Sequence, residues 1–296
     1  MDIMGRSIGM INEVGLAGYG YWGKNLARVL SELRVLQGIA EPNPERNIKA
    51  TEFCGRTFNS LSNMLDTLVY LEAIVVATPP ETHYDIALQA LQAGKDVFIE
   101  KPMTTSYSDA VHLAEVARSK ERNLMVGHIY LHNDGIKVMP IPVGKAELYV
   151  QLLNEKGGPS PSTRDVLWAA LPHACSLALH FFPDMPEWIE AEREEERIKV
   201  ILRYWNGSIA YLDVGDNTGV RRRTVELKVG DTRYKFNTDD HWLCKKESGV
   251  DVINIGDEKA PEPLVAECKV FLEYKGVDPL GPKVVKLIEE ICKRFI

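Results

Sequence analysis

Gly18-Tyr19-Gly20-Tyr21-Trp22-Gly23 follows the apolar run 14–17 and opens an amphipathic segment over residues 25–33. Three glycines at this spacing, between a strand and a helix, permit a tight turn, a close approach of the backbone to a pyrophosphate, and close contact of helix with strand. The helix start beyond them offers N–H groups and the positive end of the helix dipole. The stretch reads as a dinucleotide-binding turn. Gly18, Gly20, Tyr21, Trp22 and Gly23 are its cofactor-facing candidates, with Trp22 placed to cover the pyrophosphate or the nicotinamide edge.

Working outward, residues 35–40 form a second strand that ends at Glu41, 18 residues beyond Gly23. A carboxylate near that spacing binds the adenosine ribose hydroxyls. It would also repel a 2′-phosphate, which favours NAD over NADP; the nearby Arg46 reads as a solvated helix arginine. Residues 72–77 are a β-rich apolar run of the kind buried on both faces of a parallel sheet, and it stops at Thr78-Pro79-Pro80. Ile86, Ala87, Ala90 and Leu91 then repeat at helical spacing until Gly94. A short strand over 97–99 leads into Glu100-Lys101-Pro102, Ser106 and Asp109 form a capping-box pattern, and residues 123–127 make one more strand. Strands alternating with helices predict a doubly wound parallel sheet of the Rossmann type over residues 1–127, with its ligand crevice at the carboxyl ends of the strands. Thr78, Glu100, Lys101 and His128 fall at such ends.

Beyond residue 128 the pattern changes. Residues 145–153 read as a strand, 164–182 as mostly helical, and 186–236 as a run of strands, with Asn206-Gly207 as a hairpin turn whose two positions both need positive φ. Two helices, over 263–274 and 282–295, close the chain. The expectation for 128–296 is an α+β domain built on a mainly antiparallel open sheet.

The 296 residues carry a net charge of −7 and are 45% hydrophobic, enough to bury a sizeable core in one large or two medium domains. That acidity argues against a nucleic-acid or anionic-membrane partner, and the run Arg221-Arg222-Arg223 reads as a solvated strand or turn. No apolar run reaches the roughly 18 residues that span a bilayer, and the first ten residues lack the core of a signal peptide, so a cytoplasmic protein is expected. Cys54, Cys175, Cys244, Cys268 and Cys292 show no CxxC spacing, and His128 with His132 lacks a carboxylate cluster, so no metal site is expected.

Residues 77–83, Ala-Thr-Pro-Pro-Glu-Thr-His, followed by 94–102 ending in Glu100-Lys101-Pro102, resemble the glucose–fructose oxidoreductase and inositol dehydrogenase (Gfo/Idh/MocA) family. The resemblance spans the first domain, with the glycine turn, the acidic residue after the second strand, TPxxxH and EKP in order, and continues more weakly at 165–168 and 171–173. It implies a Rossmann domain followed by a larger open sheet that receives the substrate and forms a homodimer or homotetramer interface. It implies hydride transfer between NAD(P) and a hydroxyl-bearing carbon of a sugar, sugar acid, cyclitol or nucleotide-sugar. By the same resemblance, Lys101 binds the reacting hydroxyl and the cofactor region, His173 is the acid/base, and Thr78, Pro79 and His83 form the loop under the cofactor. Arg164 and Trp168 become candidate substrate walls and anchors. One departure stands out: where many members carry an acidic residue four positions before the histidine, this chain has Ala169. Asp165, Tyr130 and His132 are the nearest candidates to replace it; the alternative is a catalytically impaired dinucleotide-binding sensor or partner protein of the same fold.

Overall fold

The computed structural model describes residues 10–155, 166–239, 242–247, 250–254 and 262–295. It divides into two compact units, residues 1–127 with 264–282, and residues 128–263 with 283–296.

The first unit is built on six parallel strands: β1 (Val14–Ala17), β2 (Leu36–Ala40), β3 (Thr57–Phe58), β4 (Ala73–Val76), β5 (Asp96–Glu100) and β6 (Leu124–Gly127). Their order is β3-β2-β1-β4-β5-β6, the doubly wound arrangement expected from the alternation of strands and helices. Helices α1 (Gly23–Glu32), α2 (Pro44–Ala50), α3 (Leu61–Thr67), α4 (His83–Gln92) and α5 (Tyr107–Ser119) make the crossovers. Every residue of β1, β4, β5 and β6 is buried, which is why β1, β4, β6 and the middle of β5 are apolar runs without alternation. α1 buries Leu26, Ala27, Val29 and Leu30 on one stripe. Ser106 caps α5 by accepting from the Asp109 N–H, as its capping-box pattern predicts. The order of strands reverses between β1 and β4, so the crevice of the sheet opens where the glycine turn and the loop after β4 lie side by side.

The second unit contains α6 (Asp134–Lys137), β7 (Ala146–Leu153), α7 (Val166–Ala169) and α8 (Leu171–Phe181). These are followed by β8 (Trp188–Glu194), β9 (Arg197–Arg203), β10 (Ile209–Gly215), β11 (Arg222–Val229), β12 (Thr232–Asn237), β13 (Trp242–Glu247) and β14 (Val250–Asn254). Eight strands run in the order β14-β13-β12-β11-β7-β10-β9-β8, antiparallel except for the β7–β10 pair. Ala146, Leu148, Val150 and Leu152 of β7 line up with Ala210, Leu212 and Val214 of β10 on a buried face, against which α8 packs. The other face is polar and half-buried, with Tyr149 and Tyr211 stacked at 4.7 Å and Arg197 paired to both carboxylate oxygens of Asp213. The β9–β10 hairpin departs from the expected turn with positive φ at both Asn206 and Gly207. Tyr204 and Ser208 close a three-residue loop in which Gly207 alone takes positive φ (+78°), because a type I turn followed by one left-handed residue needs a single glycine.

Helices α9 (Pro263–Glu273) and α10 (Leu280–Cys292) end the chain. Residues 264–282 group with the first unit although they lie far from it in sequence. Phe271 of α9 meets Phe98 of β5 edge to face at 5.4 Å, and the segment after α9 hydrogen-bonds β6 through Leu124 N–H to Gly276 O and Asp278 N–H to Leu124 O. That segment covers what would otherwise be the open edge of the parallel sheet.

Candidate functional site

In the first unit the candidate residues gather at the carboxyl ends of β1, β2, β4 and β5. Gly18 holds φ +96°, and a Cβ there would stand 2.5 Å from the Ala77 carbonyl oxygen, so the turn after β1 can press against the loop after β4 only as glycine. A Cβ on Gly23 would fall on the Gly18 carbonyl. At Gly20 the opposite holds: a Cβ would meet nothing within 4 Å, leaving the backbone bare toward the crevice. α1 begins just beyond, with no side-chain cap and no acidic residue in its first turn. A bare backbone beside an uncapped helix start fits a pyrophosphate. Tyr21 is 54% exposed at the rim of this turn.

Glu41, at the end of β2, is buried, and its two oxygens accept the backbone N–H groups of Tyr19 (2.8 Å) and Asn43 (2.9 Å). Its charge is thereby tied to the glycine turn, and its remaining lone pairs fit a ribose diol. The half-exposed Arg46 guanidinium lies 4.0 Å from it. Thr78 and Pro79 follow β4; the Thr78 hydroxyl accepts from Thr82 at 2.8 Å. His83 is buried beneath them, its ring nitrogens 2.7 Å from Pro102 O and 2.9 Å from Thr78 O. It joins the loop after β4 to the loop after β5 as a brace. Burial outweighs the two carbonyl neighbours and holds its pKa below the ordinary histidine value.

Glu100 makes the third connection. Trp22 Nε1 donates to its Oε1 at 2.5 Å and the Lys101 N–H donates to its Oε2 at 3.2 Å, so the glycine turn is fastened to the start of the EKP loop. Trp22 is thus turned toward Glu100. Burial pushes the Glu100 carboxyl up to about 7, against the opposing pull of Lys101, the Trp22 hydrogen bond and the Lys101 N–H. Glu267 of α9 is fully buried, and burial, with the Glu100 charge second, raises its carboxyl well above the usual range. Lys101 is half-buried at the end of β5.

In the second unit His173 stands in the first turn of α8, half-buried, and Ala169 closes the separate short helix α7; Ala170 breaks the helix between them. The two positions expected one helical turn apart therefore belong to different elements. Tyr130, in the 3-10 turn Ile129–His132, places its ring 4.9 Å from the His173 ring at 65°. Its hydroxyl accepts from Arg223 Nη1 (3.3 Å), while Arg223 Nη2 donates to Asn154 Oδ1 (2.6 Å). His132 is driven down to about 4 by burial and by the neighbouring Lys137 and His128. Trp168 is half-buried in α7; Arg164 and Asp165 lie outside the described residues.

Arg223 corrects the sequence reading of the basic run. It is a structural partner of Tyr130 and Asn154, while Arg221 pairs with both oxygens of Asp239. The signal was the period of the strand: Arg223 is in phase with Val225 and Leu227, the buried residues of β11. Glu267 carried no such signal, because Glu100, whose charge helps to raise its carboxyl, is remote in sequence. Among the described residues no group of three His, Cys, Asp or Glu is placed to hold a metal, and no helix is long and apolar enough to cross a membrane.

Residues 12–128 match the family model described as the Gfo/Idh/MocA oxidoreductase family, NAD-binding Rossmann fold. Over 118 residues the chain is 33% identical to UDP-N-acetylglucosamine 3-dehydrogenase of Acidithiobacillus ferrooxidans, covering 40% of this chain and 37% of that protein. Over 133 residues it is 33% identical to inositol 2-dehydrogenase of Leifsonia xyli, covering 43% and 39%. The matched stretch thus spans under half the length of these relatives. In three dimensions the likeness extends further. The A. ferrooxidans UDP-N-acetylglucosamine 3-dehydrogenase structure superposes with a TM-score of 0.87 at 21% identity, covering 97% of this chain and 98% of the other. A levoglucosan dehydrogenase in complex with NADH and levoglucosan gives 0.81 at 17% identity, covering 95% and 96%. At such identities the likeness establishes the fold of both units.

Proposed function

We propose, for a chain whose residues 12–128 match the model of the Gfo/Idh/MocA family of NAD-binding Rossmann-fold oxidoreductases, an NAD-dependent dehydrogenase. Its substrate is a hydroxyl-bearing carbon of a sugar, sugar acid, cyclitol or nucleotide-sugar. The observation that carries the reading is the fastening of a bare glycine turn to the EKP loop through Trp22 and Glu100. Gly18, Gly20, Gly23 and the start of α1 would hold the pyrophosphate, with Tyr21 and Trp22 at its edge. Glu41 would hold the adenosine ribose, and its charge sets the preference for NAD over NADP; Thr78 and Pro79 would lie along the cofactor, braced from below by His83. The bound nicotinamide would supply the acceptor or donor of hydride.

The chain's own residues manage the proton and the oxygen. Lys101, held where β5 ends, donates to the reacting oxygen and stabilises charge that develops on it. His173 takes or returns the hydroxyl proton, since imidazole titrates nearest neutral pH. Trp168, with Arg164, shapes the substrate side. The sugar and cyclitol dehydrogenases among the relatives support this substrate class. We further propose a cytoplasmic homodimer or homotetramer that associates through the polar open face of the second sheet, carrying the Tyr149–Tyr211 stack.

Incubating the purified protein with NAD and a panel of sugars, sugar acids, cyclitols and nucleotide-sugars, while following NADH absorbance, tests the assignment. Turnover with one class supports it. Tight NAD binding with no turnover on any class refutes it and favours the second reading, a binding protein that lost its chemistry, for which Ala169 is the specific observation. Gained turnover in Ala169→Asp would support that second reading.

A further inference from the structure

We propose that Tyr130 is the positioning residue for His173, and that Arg223 and Asn154 fix Tyr130 in turn; this rests on the reading that His173 moves the proton. Position 169 carries only a methyl group and sits in a different helix from His173, so its side chain cannot orient the imidazole by a hydrogen bond. Tyr130 does stand against the ring, at 4.9 Å and 65°, an edge-to-face arrangement that admits few rotations of either ring.

A positioning group must itself be fixed, and Tyr130 is held at both ends. Its backbone lies in a 3-10 turn, where the Leu131 N–H donates to His128 O and the Asn133 N–H to Tyr130 O. Its hydroxyl accepts from Arg223 Nη1, and the same guanidinium donates through Nη2 to Asn154 Oδ1, whose Nδ2 donates to Asp216 Oδ1 at 2.5 Å. Arg223 is the second residue of β11, Asn154 follows β7 and Asp216 follows β10, so the relay is anchored on three strands of one sheet. Asp239, 4.0 Å from Arg223 Nε, limits the guanidinium from the remaining side. Tyr130 is half-buried, and desolvation of its phenol raises its pKa despite the adjacent Arg223, so it stays protonated and acts by shape and hydrogen bonding. An imidazole misplaced by about 1 Å costs on the order of 10²-fold in rate, which sets the scale of the effect.

The test uses the full-length protein with NAD and the best alcohol of the panel. Tyr130→Leu should lower kcat by about 10- to 100-fold while KM and the dissociation constant for NADH move less than about threefold. Tyr130→Phe keeps the ring but loses its anchor to Arg223, and should lower kcat by about three- to tenfold, less than the Leu variant. Independently of turnover, the His173 Hε1 resonance in histidine-labelled protein, assigned by its loss in His173→Gln, should shift in Tyr130→Leu and stay near its place in Tyr130→Phe. Unaltered kcat in Tyr130→Leu would overturn the proposal; a Phe variant as impaired as the Leu variant would overturn the role of the ring, and one as active as the unaltered protein would overturn the role of Arg223 as its anchor. If no alcohol turns over, the dehydrogenase reading fails, but the resonance still decides: a shift confined to the Leu variant supports the pairing, and an unmoved one overturns it.

Discussion

Replacing Glu100 by glutamine isolates the energetic consequence of burying a carboxyl under the cofactor crevice. In the folded chain its pKa stands at about 7 against an ordinary 4.5, with burial as the leading cause. Each tenfold change in proton affinity corresponds to about 1.36 kcal/mol, so the deprotonated carboxylate costs the fold on the order of 3 kcal/mol at alkaline pH. Between those two pKa values the folded chain retains a proton that the unfolded chain has released. Stability therefore falls as pH rises from about 4.5 through 7 and levels off above. Glutamine keeps one oxygen, which serves either Trp22 Nε1 or the Lys101 N–H but not both, and carries no charge at any pH. The variant should match the unaltered protein within about 1 kcal/mol at pH 5 and, with about 1 kcal/mol of the gain offset by the lost hydrogen bond, exceed it by about 1–2 kcal/mol at pH 8.5. Urea unfolding at pH 5, 7 and 8.5, followed by circular dichroism and tryptophan fluorescence, measures this directly. Parallel stability curves for the two proteins across that range would refute the reasoning, as would a Gln variant less stable at pH 8.5.

Other perturbations test the remaining connections. Glu41→Ser removes the carboxylate that would repel a 2′-phosphate; with two unit charges about 4 Å apart worth up to about 4 kcal/mol near a surface, the NADH-over-NADPH preference in fluorescence titrations should shrink by at least about tenfold. An unchanged ratio would show that Glu41 does not set it. Gly18→Ala forces a side chain onto the Ala77 carbonyl at positive φ, which should destabilise the first unit by about 2–4 kcal/mol and abolish NADH binding, read by thermal melting with and without cofactor. Lys101→Met should reduce kcat/KM by about 10²-fold or more while NADH affinity changes little, since its proposed work is on the reacting oxygen; loss of cofactor affinity alone would reassign it.

Much of the first unit is written in local order. A parallel strand buried on both faces must be a short apolar run, a tight turn against a neighbouring carbonyl must be glycine, and a helix start selects its capping serine, so β1, β4, β5, Gly18 and Ser106 are legible one stretch at a time. The position of each candidate at a strand's carboxyl end follows from the same alternation. What each side chain does there does not. In sequence Trp22 reads as a cover for the cofactor and His83 as part of the loop under it; that one is also fastened to Glu100 and that the other spans two loops depends on partners 78 and 19 residues away. Arg223 reads as part of a solvated basic run, although the phase of β11 turns it inward to Tyr130. Ala169 and His173 share a helical spacing that a break at Ala170 removes. Local sequence determined where the strands end and where a dinucleotide fits, because backbone sterics and periodic burial act over a few residues. The tertiary structure decided which buried polar groups satisfy one another, because that depends on pairs brought together only when the sheets close.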